Sequence, residues 1–105
     1  MSSAEYPEPI TVEVDSEVQS IVPAFLDNRR RDCLTICSLL EGEAFSEIST
    51  LGHRMKGSGG SYGFDDISRI GEVIEKAALA TDKETISNAI LQLSSYLERV
   101  TVVYV

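Results

Sequence analysis

The chain has 105 residues, 43% of them hydrophobic and 25% charged, and a formal net charge of -8. That length and balance describe one small globular domain and argue against a disordered chain. The acidity argues against nucleic-acid binding, which needs a positive footprint, but leaves room for a basic protein partner. No apolar run approaches the roughly 18 residues of a membrane span, so no membrane association is expected.

The start MSSAEYPEP has neither a basic n-region nor an apolar h-region. It therefore does not read as a signal peptide, and a cytoplasmic protein is expected. The Met1 start further points to a free-standing protein rather than a fragment. Residues 1–14 read as an N-terminal arm, with Pro7 and Pro9 opposing helix. Ile10-Thr11-Val12-Glu13-Val14 alternates like a strand, yet the sequence offers it no partner. The expectation is a segment laid on the domain or left loose.

Asp15 or Ser16 is placed to cap a first helix, with Glu17 in its first turn. Pro23 either starts a new helix in its first turn or kinks the first one. The long helix then runs to about Glu41, with Phe25, Cys33, Ile36, Cys37 and Leu40 as its buried stripe. Cys33 and Cys37 read as free thiols in a reducing compartment, packed as two small buried hydrophobes. Arg29 falls within the stripe; its stem is expected to pack while its head reaches a carboxylate or solvent.

Gly42 turns the chain into a central helix from Phe45 to about Tyr62, where Gly63 suits the position after the C-cap. Asp65 or Asp66 is expected to cap the next helix, which runs to about Ala80 on a stripe of Ile67, Ile70, Ile74, Ala77 and Ala78. After a turn at Thr81-Asp82, Ile86, Ala89, Ile90, Leu93, Leu97, Val100 and Tyr104 repeat at helical spacing. The β-branched tail Thr101–Val105 is prone to fray or extend. Four amphipathic helices with short links predict an all-α fold, an antiparallel up-down four-helix bundle over residues 15–105. A monomer is the default for such a bundle.

The central helix is unusual. His53 is the only histidine, Lys56 follows one turn later, and Gly57, Gly59, Gly60 and Gly63 crowd behind. Each glycine inside a helix costs about 1 kcal/mol relative to alanine, so the cluster needs a reason. On a helical wheel Phe45, Ile48, Leu51, Gly52, Met55, Gly59 and Tyr62 share one face. His53 lies well over about 120° from the centre of that arc, on the polar side. An exposed imidazole beside one cation, with little bulk around it, suits a nucleophile that a second protein must reach. The Lys56 ammonium is placed to offset an added phosphoryl charge. Glycines let a partner's backbone come close.

The run His53-x-x-Lys56-Gly57-Ser58-Gly59-x-x-Tyr62-Gly63-Phe64 resembles the signature of histidine phosphotransfer (HPt) domains of bacterial multistep phosphorelays. The likeness extends upstream through Val22–Arg30 and downstream through Ile70–Ala78, over roughly residues 15–100. The resemblance implies that His53 takes a phosphoryl group from the aspartate of one response-regulator receiver domain and yields it to another. A hybrid sensor histidine kinase is implied as a partner beside or in place of these receivers. The resemblance implies reaction at the outward Nε2, with Lys56 neutralising charge and Gly57 and Gly60 leaving room for the docking receiver. Arg54, to the side of His53, reads either as a docking contact or as a solvated surface charge. No cofactor of its own is implied, since the receiver supplies Mg²⁺. The chain is then a phosphoryl carrier without kinase activity. Two other classes compete: an HPt-like module that docks and inhibits or scaffolds, and a metal-linked sensor using His53 with Cys33 and Cys37. Retention of His53 and Lys56 argues against the first. The wheel, which sets His53 opposite the packing face, argues against the second.

Overall fold

The computed structural model describes residues 8–105, so the expectation for the first seven lies outside the described residues. The elements run β1 (Ile10–Val14), one 3-10 turn (Ser16–Val18), α1 (Val22–Glu41), α2 (Phe45–Ser61), α3 (Asp65–Leu79), α4 (Lys83–Arg99) and β2 (Val100–Tyr104). Helix α1 packs against α2 and α4, and α3 against the same two, which closes the ring of a four-helix bundle. Its core is an aliphatic cluster that includes Ile36, Ile48, Met55, Ile67, Ile74, Ile86 and Leu93, with Phe64 at one end.

The all-α expectation is corrected by a small parallel sheet. Strand β1 pairs with β2 in a register from Ile10↔Val100 to Val14↔Tyr104. The whole bundle forms the crossover between the two strands, which is why they can lie parallel. Backbone bonds continue the pairing: Val105 N–H donates to Val14 O at 3.0 Å, and Ser16 N–H donates to Val105 O at 3.0 Å. Val14, at the end of β1, is buried in the core. The partner was hidden because Val100 and Tyr104 are four residues apart. That spacing puts side chains on one face of a helix and equally on one face of a strand. The β-branched residues decide for the strand, and the backbone turns extended at Val100 (φ -69°, ψ 129°).

Several boundary details also differ from expectation. The Asp15 carboxylate accepts from Glu17 N–H at 2.9 Å, but it caps the 3-10 turn rather than a full helix. Pro23 sits in the first turn of α1, where its missing N–H costs nothing. Phe64, with no side-chain bond, occupies the N-cap of α3, and Asp65 and Asp66 fall inside its first turn. There they act through the positive end of the helix dipole rather than as caps. Cys33 is half-buried and Cys37 exposed, so the expected buried pair is wrong for Cys37. The stripe of α1 is centred on the line from Phe25 to Ile36, and Cys37 lies about 100° round from Ile36.

Helices α1, α2 and α3 end alike. In each, the residue after the C-cap takes the left-handed region and two backbone N–H groups reach back to the last turn. At α2 the residue is Gly63 (φ 85°), as the sequence predicts, with Phe64 N–H donating to Gly59 O at 2.8 Å. At α1 it is Glu43 (φ 55°) and not Gly42, and at α3 it is Thr81 (φ 50°).

Candidate functional site

The site is built on the seam between α2 and α3. Three glycines make that seam possible. A Cβ at Gly52 would sit 2.7 Å from Glu75 N, one at Gly59 2.6 Å from Ser68 N, and one at Gly71 2.6 Å from Lys56 N. The two backbones touch there, and any side chain would force them apart. Ser68 Oγ–H crosses the seam to donate to Lys56 O at 2.7 Å. Gly57 and Gly60 are different. A Cβ at Gly57 would meet nothing within 4 Å, and one at Gly60 only Ser68 Oγ at 3.7 Å. The glycine cluster thus divides into residues that hold α3 close and residues that keep the outer face bare.

His53 stands on that outer face with its side chain 70% exposed. Its Nδ1 lies 2.9 Å from Glu75 Oε2 on α3. A carboxylate only accepts, so Nδ1 carries the proton in this contact and the Nε2 lone pair of the neutral ring is left outward. This can orient an imidazole as a nucleophile and balance positive charge that develops on the ring. Lys56 Nζ lies 3.6 Å from Glu72 Oε1, and Lys76 Nζ lies 3.1 Å from the same oxygen. The Lys76 hydrogen bond, then the Lys56 charge, hold the Glu72 carboxyl below its ordinary range.

The structure sets His53, Lys56 and the bare Gly57 and Gly60, all named from the sequence, beside Glu75 and Glu72, which the sequence reading did not name. Their signal was present but unreadable in one dimension: two acids at i, i+3 beside Gly71, an interior helix glycine with no turn to explain it. Arg54, next to His53, is exposed and lines a shallow groove between α1 and α2 with Thr35, Leu39, Thr50 and Leu51. Arg29 is held away from His53. Its NH1 donates to Ser58 Oγ at 2.9 Å, and its Nε lies 2.8 Å from Asp32 Oδ2, off the line of a hydrogen bond. Its guanidinium covers the Phe25 ring at 4.9 Å. Packed stem and carboxylate-paired head agree with the structural expectation for this residue.

Cys33 lines a groove between α1 and α4, with Leu97 and Glu98, while His53 faces α3. Burial, then the neighbouring Cys37 and Asp32, push the Cys33 thiol up to about 11. A metal site uniting His53 with the cysteines therefore has no geometric basis. No group of three or more His, Cys, Asp or Glu is arranged to hold a metal among the described residues. No described helix is long and apolar enough to cross a membrane.

No curated protein and no solved structure matches the chain. The model of the Hpt domain family matches residues 20–101, from just before α1 into β2. Such domains act in phosphotransfer in two-component signalling, through contacts with receiver domains and kinases. With that match spanning most of its length, and an exposed histidine followed by Lys56 and Gly57 on its second helix, the chain belongs to the Hpt domain family.

Proposed function

We propose that the protein relays a phosphoryl group between receiver aspartates through a phosphohistidine at His53 Nε2. The single observation that carries this is the 2.9 Å contact of Nδ1 with Glu75 on a ring that is otherwise open to a partner. In the forward step Nε2 attacks the phosphorus of the aspartyl phosphate. The new N–P bond forms as the P–O bond to the aspartate breaks, and that carboxylate leaves with the electron pair. The ring keeps its Nδ1 proton and becomes positive, and Glu75 faces that charge at hydrogen-bond distance. The Lys56 ammonium, one turn along, offsets the incoming dianion. Gly57 and Gly60 leave space for the receiver's loops, and Arg54 and the α1–α2 groove lie beside the approach. Return transfer reverses each step.

Mg²⁺ is supplied by the receiver, so this chain contributes charge and a nucleophile rather than a metal site. The short links between neighbouring helices support an up-down antiparallel course. A cytoplasmic monomer with its His53 face free fits this role.

The test mixes a receiver phosphorylated on its aspartate with the wild-type protein and with His53→Gln. Transfer is followed on a phosphate-affinity gel, with acid and base treatment of the product. An acid-labile, base-stable label on the wild type alone is expected. Docking without any label would replace the relay by a module that binds receivers and does not transfer.

A further inference from the structure

We infer that Glu72 is a positioning residue that holds Lys56 in the unphosphorylated protein and releases it to the phosphoryl group, so that it sets the standing level of phosphohistidine. This rests on the reading of His53 as the phosphoryl acceptor. One carboxylate oxygen, Glu72 Oε1, serves two ammonium groups, Lys56 at 3.6 Å and Lys76 at 3.1 Å. The Lys56 contact is longer than the roughly 2.7–2.9 Å of a strong charge-assisted bond, so Lys56 is the loosely held partner. Lys76, on the same helix as Glu72, is the tighter one. Once Lys56 leaves, Glu72 keeps Lys76 and is not stranded. A phosphoryl group of nearly two negative charges then outcompetes a singly charged carboxylate for Lys56. Unphosphorylated and phosphorylated states thus differ by one ion-pair exchange, and the exchange opposes phosphorylation by the strength of the Lys56–Glu72 pair.

Exposed ion pairs of this kind shift equilibria by about 1.5- to 5-fold. Glu72→Gln is therefore expected to raise the ratio of phosphohistidine to receiver aspartyl phosphate by about two- to fivefold. Lys76→Gln leaves Glu72 to Lys56 alone and lowers the ratio. A simple charge effect at a distance predicts the same two signs, and the Lys56→Gln background separates the accounts. If Glu72 acts by holding Lys56, Glu72→Gln changes nothing once Lys56 is gone. If it acts by its field alone, the shift persists.

The experiment loads each variant with phosphoramidate, whose P–N bond breaks with loss of ammonia as the phosphohistidine forms. A receiver is added, and the ratio is read on a phosphate-affinity gel once it is constant. A rise with Glu72→Gln that vanishes in the Lys56→Gln background supports the proposal. An equal rise in both backgrounds, or no rise in either, overturns it. A wild-type protein that takes no label at His53 removes the phosphohistidine reading itself, and this inference with it.

Discussion

Gly57 and Gly59 lie two residues apart in the same helix, and replacing each by alanine should act in opposite directions. Either change removes the conformational cost of a helix glycine, a gain of about 1 kcal/mol. At Gly57 nothing opposes that gain, because the added methyl meets no atom within 4 Å. Gly57→Ala should raise the unfolding midpoint by about 4–8 °C, as 1 kcal/mol does in a domain of this size. At Gly59 the methyl lands 2.6 Å from Ser68 N and 3.1 Å from Phe64 O. Both are backbone atoms of a packed segment and cannot rotate aside. Overpacking of this kind costs about 1–3 kcal/mol, and a rigid obstacle belongs at the upper end. The net result is a loss of about 1–2 kcal/mol, leaving the two variants some 2–3 kcal/mol apart. Urea unfolding followed by far-UV circular dichroism measures both. Transfer from a phosphorylated receiver should meanwhile slow for Gly57→Ala despite its greater stability, since the methyl would stand on the face proposed for docking. A Gly59→Ala protein as stable as Gly57→Ala would refute the division of the glycines into seam and open face. So would a Gly57→Ala protein that transfers at the wild-type rate.

Glu75→Ala should slow phosphotransfer about tenfold or more, because the ring loses its fixed tautomer. Its unfolding free energy should move by less than about 1 kcal/mol, as for other exposed pairs; a stopped-flow transfer assay beside a urea titration checks both. Thr81→Gly should stabilise by about 0.5–1 kcal/mol, since a β-branched residue at φ 50° carries about 1–2 kcal/mol of strain that glycine relieves at some entropic cost. Thermal unfolding checks that sign. The Thr85 side chain, then its backbone N–H, bond the Asp82 carboxylate at the start of α4 and hold it below the usual carboxylate range. A depressed folded value means this contribution is full above the ordinary value of 3.8 and is lost as pH falls through the lowered one. In an acid unfolding series, Asp82→Asn should flatten that part of the profile.

The helices were legible because their stripes are clean. Ile67, Ile70, Ile74, Ala77 and Ala78 recur every three or four residues, and all are buried. The placement of His53 followed from the same periodicity, since a wheel fixes which side of a helix faces the core. What failed was whatever two separated segments decide together. Val100 and Tyr104 fit a helix or a strand equally well, and only the presence of Ile10–Val14 alongside resolves them. Glu43 and Thr81 show the same limit at turns. The left-handed position falls on them and not on a glycine, although nothing in the local sequence marks either residue for it. Glu75 could not be assigned because nothing in its own helix says which residue of α2 it meets.

The glycine seam explains why that meeting occurs. His53 and Lys56 are one turn apart on α2, and Glu72 and Glu75 are one turn apart on α3. Side chains at such spacing share a face of each helix. They pair across the gap only if the helix backbones are near enough for a carboxylate to reach a ring nitrogen and an ammonium. Gly52 and Gly71 lie at the level of these residues, with Gly52 against Glu75 N and Gly71 against Lys56 N. A methyl group at either would push α3 outward and lengthen the 2.9 Å contact to Nδ1. The same residues that look like weak points in a helix therefore bring the second helix within reach of the His53 ring. Two helix-destabilising glycines at the core of the bundle thus have a structural reason: the His53 ring is oriented by a carboxylate on α3, and only bare positions let α3 come that close.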